Sequence, residues 1–367
     1  MRALTLDDAR AATYGGLVLG AGGGGLETGL RAAESVMALG TPFLVTLDEL
    51  ADDDEVIVST GIGAPGAPRT GARLGIAEDG QRCLDLVIEH MDDGGRVVGT
   101  MSSHPGAWIA GGWVNAVLRK GWSVVDCATN GRGHPLVKMG GMGLAERKDV
   151  AVVQVAAGGD PDVTGYMEIV AKGPLSLVSN VLRQASREVG GIILSARGPF
   201  SVGFCKTNAA PGAVSACITL GEAMLAAEGN GPEAMISAIA DTFGGRVLGR
   251  GPLTDDSVAF EGAFDVGFFT VDAEGSPLRV AVVNEYMAAD LDGTRVSTFP
   301  DLIVTLSTND GMPTSAAGLE IGEEVVVVAV PGANIPLGAG VWDEVVYTEM
   351  EKMLGIEMKA HALTNRR

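Results

Sequence analysis

The chain has 367 residues, 46% of them hydrophobic and 20% charged, with a formal net charge of -20. Such a chain can bury a sizeable core and form two domains of ordinary size, but its charge repels nucleic acid, whose binding rests on Lys and Arg. No apolar run reaches the roughly 18 residues needed to span a bilayer, and the opening Met1-Arg2-Ala3-Leu4-Thr5-Leu6-Asp7-Asp8 has no signal or transit character, so a cytoplasmic protein without nucleic-acid or membrane partners is expected.

Thr5-x-x-Asp8 has the pattern of a capping box and opens a helix that runs to about Leu19. The run Gly20-Ala21-Gly22-Gly23-Gly24-Gly25 ends it. Leu26, Leu30, Ala33 and Met37 then repeat at helical spacing up to Gly40. Short apolar segments follow at Phe43–Leu47, Val56–Ser59, Val97–Met101, Val124–Cys127 and Val150–Ala156. Helical patterns near Gln81–His90 and Trp108–Lys120 separate some of them. Strands alternating with helices imply a parallel sheet covered on both faces. Leu175, Val178, Leu182 and Ala185 mark another helix, and Pro211 and Pro232 stand where first helical turns could begin. Beyond about Arg246 the pattern changes to short strands at Phe264–Val271, Leu278–Asn284, Leu302–Leu306 and Glu324–Val330. Asp272-Ala273-Glu274-Gly275 and Asn309-Asp310-Gly311 look like hairpin turns between them. A last helix lies around Trp342–Leu354. The fold class is therefore α/β, with a first domain over 1–168 and a second over 169–367, helical at first and largely β over about 246–331.

Glycine is the unusual residue: 54 occur, about twice the usual share of roughly 7%. The glycines cluster at the ends of apolar segments. The four cysteines, Cys83, Cys127, Cys205 and Cys217, form no CxxC pair, which excludes a zinc ribbon or thioredoxin motif.

Chemistry is expected in the loops. Gly22, Gly23, Gly24 and Gly25 precede a helix whose N-terminus favours negative charge. A ligand carboxylate, phosphate or imide oxygen could sit there; a tight helix–helix turn is the alternative. The run superficially matches GxGxxG, but that fingerprint follows a strand, and here a helix precedes it. Three further loops each follow a strand: Thr60-Gly61-Ile62-Gly63-Ala64-Pro65-Gly66, Ser102-Ser103-His104-Pro105-Gly106, and Asp126 through Asn130, Arg132 and His134 to Pro135. Such loops carry ligands in open α/β sheets. His104 and His134 suit general-base work, Asp126 could orient a base or act itself, and Arg132 could hold an anion. A zinc site through Asp126, His104 and His134 is another reading, though its spacing matches no known signature. Asn284 and Glu285 follow a strand of the β part and could face these loops, or could serve hydrogen bonding between domains.

The order Gly22–Gly25, Gly63-Ala64-Pro65, Asp126…Gly131-Arg132-x-x-Pro135, Asn284-Glu285-Tyr286 and Pro300-Asp301-Leu302-Ile303 resembles the DUF917 family, the S-methyl thiohydantoin desulfurase domain family. The resemblance covers nearly the whole chain. It implies a Rossmann-like three-layer N-terminal domain and a C-terminal domain containing a β-barrel. It also implies hydrolysis of a small cyclic amide or thioamide, with His134 or Asp126 as base, Arg132 and His104 beside it, and Gly22–Gly25, Gly63, Asn130, Asn284 and Glu285 binding substrate. Members are associated with hydantoinase/oxoprolinase proteins, so a non-catalytic accessory subunit is the alternative. A homo-oligomer is expected. Two departures stand out. The family's Asp-x-Asp has Ala128 at its second acid, and Ser102-Ser103-His104-Pro105-Gly106 replaces a Glu-x-Gly-Gly-x-Asn stretch. Both remove carboxylates from the implied pocket, which points to an altered substrate, altered metal dependence or lost activity.

Overall fold

The computed structural model describes residues 1–21, 25–63, 75, 77–91, 95–261 and 264–363. The capping box forms. The Thr5 side chain accepts from the Asp8 N–H at 3.1 Å, and the Asp8 carboxylate accepts from the Thr5 N–H at 2.7 Å. The helix so started, α1 (Leu6–Leu19), precedes α2 (Leu26–Leu39).

The first sheet holds β1 (Arg2–Ala3), β2 (Phe43–Val45), β3 (Glu55–Gly63), β4 (Val97–Ser102) and β5 (Ser123–Ala128). It also holds β6 (Val152–Gly158), β7 (Met167–Gly173), β8 (Ile192–Ser201) and β9 (Ala210–Pro211). Their order is β1-β2-β5-β4-β3-β8-β6-β7, with β9 on β5. Four neighbours, β2, β5, β4 and β3, run parallel. β8 lies antiparallel to both β3 and β6, and β7 antiparallel to β6. The sheet is mixed, not the wholly parallel one that the alternation implies. The reason is local: no helix lies between β5 and β6, so no helical crossover returns the chain parallel to β5. β6 is buried at every residue, whereas β7 alternates in exposure as an edge strand does.

The helices that accompany this sheet are α3 (Glu78–Glu89), α4 (Val114–Leu118), α5 (Leu175–Glu188), α6 (Val202–Asn208) and α7 (Ala213–Ala227). Then come α8 (Pro232–Asp241) and, at the far end of the chain, α9 (Glu344–Leu354) and α10 (Lys359–Ala362). Pro232 occupies the first turn of α8, where its missing N–H has no intrahelical partner to lose.

The second sheet comprises β10 (Arg246–Asp256), β11 (Ala259–Glu261), β12 (Phe264–Ala273), β13 (Ser276–Val283) and β14 (Glu285–Leu291). β15 (Thr294–Thr298), β16 (Leu302–Ser307), β17 (Pro313–Thr314) and β18 (Glu324–Val330) complete it. Glu274 and Gly275, at φ 55° and 88°, form the two-residue loop between β12 and β13, the left-handed pair that a tight hairpin requires. All its pairings are antiparallel, in the order β15-β14-β13-β12-β10-β18-β16-β17 with β11 on β12. Among the described residues no pairing joins β15 to β17, so hydrogen bonds do not close this sheet into the barrel that the resemblance implies.

The largest core joins the halves. Leu19 of α1, Val214 of α7 and Ile239 of α8 belong to one buried cluster with Val271, Val280 and Val328 of the second sheet. A further cluster places Tyr347 and Met350 of α9 with Val283, Met287 and the loop residues Leu136 and Met139. The long loop after β5 is thus gripped by the second sheet and its terminal helix. All four cysteines are buried and free. Among the described residues no helix is long and apolar enough to cross a membrane.

Candidate active site

Because β3, β4 and β5 are parallel, their carboxyl ends share one edge of the sheet, and the loops leaving them converge there. They are laced together. The Thr60 and Ser103 hydroxyls lie 2.6 Å apart, and the Thr129 hydroxyl donates to the Ser103 carbonyl at 2.6 Å. A cavity of about 260 Å³ opens at this point, lined by Thr60, Gly63, Ser103, His104 and His134 from the loops. Arg183 of α5, Arg197 of β8, and Asn284 and Glu285 at the start of β14 complete its wall.

His134 is 8% exposed, and neither ring nitrogen makes a well-formed hydrogen bond among the described residues. Its ring meets that of His104 edge-on, with centroids 4.9 Å apart. Burial holds its pKa well below the usual histidine value, with His104, Arg132 and Arg197 adding to the effect and a backbone group of Leu136 weakly opposing it. A Cβ at Gly140 would lie 2.6 Å from His134 Nε2, so glycine there leaves room for the ring. His104 also has a lowered pKa, chiefly from burial, while its Nδ1 lies 2.7 Å from the Pro105 carbonyl. The second ring is therefore anchored and the first is not.

Glu285 shows the opposite displacement. Burial pushes its carboxyl up to about 8, against the pull of Arg132 and Arg183. Its Oε2 has no hydrogen-bond partner among the described residues. Arg183 donates through Nη2 to the Pro135 carbonyl at 2.9 Å and stacks over Phe264, but its Nη1 is unpaired. Arg197 donates to the Gly140 carbonyl at 2.9 Å, and its Nε is unpaired. Burial lowers its pKa to about 10. Buried polar atoms nearly always find partners. Here four side chains with unsatisfied atoms line one small cavity.

The other expected site residues are placed differently. The Asp126 Oδ1 accepts from the N–H groups of Val214 and Ser215 at 3.0 and 2.9 Å, and its Oδ2 accepts from the Ser215 hydroxyl at 2.6 Å. That carboxylate holds the N-terminus of α7. Arg132 is fully buried; it donates to the carbonyls of Gly133, Asp301 and Tyr286 and lies over the Phe299 ring. Asn130 donates to the Arg132 carbonyl at 2.9 Å and accepts from the Gly338 N–H at 3.4 Å. Both bind the loop to the rest of the protein rather than facing the cavity. Asn284, at φ 53°, exchanges hydrogen bonds with the backbone of Asp265 and also lines the cavity. Gly63 lines it as well. Gly25, left-handed at φ 89°, precedes α2 and borders an adjoining cavity instead. Gly22, Gly23 and Gly24 lie outside the described residues, as do Ala64, Pro65 and Gly66.

Among the described residues no three His, Cys, Asp or Glu side chains gather as a metal would need. Asp126, committed to α7, does not join the two histidines. Sequence reasoning missed Arg183 and Arg197. Arg197 carried a signal, since a charge in the middle of a strand's apolar pattern asks for a buried partner.

Residues 175–336 match the family described as S-Me-THD-like, C-terminal domain, which bears out the resemblance drawn from the motifs. The Asn284 and Pro300 motifs fall inside that span; the glycine run and the Asp126–Pro135 loop precede it. The chain is also similar to the crystal structure of a protein from Chromobacterium violaceum, with TM-score 0.65 and 20% identity over 96% of each chain. At that identity the likeness concerns the fold. No curated protein matches.

Proposed function

We propose, from the match of residues 175–336 to an S-Me-THD-like C-terminal domain, a hydrolase that acts on a small cyclic amide or thioamide, with an S-methyl thiohydantoin as the model substrate. The observation that carries this is His134, neither of whose ring nitrogens makes a well-formed hydrogen bond among the described residues, facing the same cavity as the raised-pKa Glu285, whose Oε2 is likewise unsatisfied. A neutral imidazole beside a protonated carboxyl is a base–acid pair at neutral pH.

The reaction balances with these two groups. His134 takes a proton from water as its oxygen bonds to the ring carbon bearing sulfur. Glu285 gives its proton to the adjacent ring nitrogen. The intermediate then collapses. Its hydroxyl proton returns to Glu285, the carbonyl forms, the C–S bond breaks, and methanethiolate takes the proton held by His134. The products are a hydantoin and methanethiol. Arg183 and Arg197, each with a free N–H, stabilise the oxygen that gains negative charge. Asp126 acts only through the position of α7.

The test is methanethiol release from an S-methyl thiohydantoin, together with ring opening of hydantoins. His134→Gln and Glu285→Gln should each slow turnover at least about 100-fold. Wild-type rates in both variants would overturn the assignment.

A second reading rests on one observation. Among the described residues no carboxylate hydrogen-bonds to either histidine, and Asp126 is engaged elsewhere. A protein that binds the ring without turning it over, as an accessory to a hydantoinase/oxoprolinase enzyme, needs no such group. Tight ligand binding with no turnover, and co-purification with such an enzyme, distinguish it.

A further inference from the structure

A second cavity, about 550 Å³, adjoins the first and shares Thr60, Ser103, His104, Trp108 and Ile192 with it. Its volume lies within the range of small-molecule sites. The two chambers differ in chemistry. The smaller holds Arg183, Arg197 and Glu285. Among its described lining residues the larger has no Asp, Glu, Lys or Arg. Several polar groups of its wall are already engaged: Asn115 donates to the Ser59 hydroxyl at 2.9 Å and accepts from Gln81 at 3.0 Å, and Ser195 donates to the Val155 carbonyl at 2.7 Å. The indole N–H of Trp113, a residue 3% exposed, has no acceptor among the described residues, whereas a buried indole N–H normally finds one. Space is kept open by glycine: a Cβ at Gly106 or Gly112 would meet nothing within 4 Å.

We propose that the larger cavity is a specificity chamber. It takes an uncharged substituent of the ring bound in the smaller cavity, with Trp113 Nε1 donating to an acceptor on that substituent. A charged group entering the chamber would lose its hydration and meet no counter-charge, whereas methylenes gain by leaving water. The inference rests on the ring-binding reading above and adds the class of substituent. Thr60 and Ser103, whose hydroxyls lie 2.6 Å apart, line both chambers.

The test is calorimetric titration with hydantoin, 5-(2-carbamoylethyl)hydantoin and hydantoin-5-propionic acid, the last two being an amide and an acid of matched shape. The amide should bind at least about tenfold more tightly than the acid. Trp113→Phe should weaken the amide roughly fivefold and leave unsubstituted hydantoin unchanged. Gly112→Val, which puts bulk into the open space of the chamber, should do the same. Equal binding of acid and amide, or an amide affinity unmoved by both variants, overturns the chamber while hydantoin binding leaves the ring reading intact. If no hydantoin binds, isovaleramide titrated against tryptophan fluorescence separates the two ideas. A response that Gly112→Val abolishes supports the chamber alone, and no response overturns it.

Discussion

Glu285 and His134 are displaced in opposite directions by the same cause. Each stands in a largely desolvated wall of the cavity, and burial disfavours the charged form, so the acid keeps its proton and the base stays without one. For Glu285 the sign of the linked stability follows directly. Its folded-state carboxyl, near 8, holds a proton that the unfolded chain has released above about 4.5. The folded state therefore binds the extra proton, and its stability falls as pH rises from about 4.5 to about 8. Glu285→Gln removes this titration. Urea denaturation at pH 5 and pH 8.5 should show the variant gaining on the wild type at the higher pH by about 1–3 kcal/mol, allowing for the opposing arginines and for partial solvent access. Equal differences at the two pH values would mean that Glu285 is ionised throughout. At this scale the sequence was partly legible. A histidine after a parallel strand and a strand-end Glu beside an Asn are readable as candidate positions, and His134, Asn284 and Glu285 do line the cavity. Asp126 reads in the sequence as a group that could orient a base or act itself. Its engagement depends on a helix terminus 88 residues away, which no local pattern reports.

The elements that frame the cavity are held by unusually close backbone approach. α1 and α7 cross where neither helix has side-chain bulk. A Cβ at Gly221 would lie 1.7 Å from the Ala11 carbonyl oxygen, and one at Gly15 would lie 1.9 Å from that of Cys217. On another side α1 rests on the loop after β4, since a Cβ at Gly16 would lie 2.2 Å from the Gly106 oxygen. Gly16 and Gly20 also line the smaller cavity. Gly221→Ala therefore cannot be absorbed by moving a flexible side chain; the helices must separate. The expected cost is at least about 3 kcal/mol, read as a lowered urea midpoint, although alanine favours a helix interior intrinsically. A variant at or above wild-type stability would show that the crossing is looser than these distances. The start and end of α1 were readable from the capping pattern and the glycine run. So was α8, from Pro232. The place of β8 was not. A strand at 192–201 joins β3 only because the chain returns antiparallel, and that pairing is long-range, with no trace in alternation. With β8 unplaced, Arg197 could not be assigned to the cavity.

Across the whole molecule, Arg132 decides how the first sheet's loops meet the second sheet. The sequence reads an arginine in a ligand loop as an anion clamp. Its surroundings make it a tie instead: one planar fork reaches the carbonyls of Gly133 in its own loop, Tyr286 in β14 and Asp301 before β16, with Phe299 stacked on its face. Burial lowers its pKa to about 10, and Glu285 and Asp301 oppose that shift. It therefore stays charged at neutral pH. Lysine cannot substitute here, because a point charge with three donors lacks the fork that spans these acceptors. Arg132→Lys should lower unfolding stability by about 3–5 kcal/mol and weaken hydantoin binding only as far as unfolding depletes the native state. Arg132→Met removes the buried charge as well, keeps much of the volume, and should cost less than the lysine variant. An anion clamp predicts the reverse order: near-normal urea midpoints, with ligand affinity lost at temperatures where both variants are fully folded. Measuring the midpoint and the affinity on the same preparations separates the two, because the tie acts on the joint between the sheets and the clamp acts on the ligand alone.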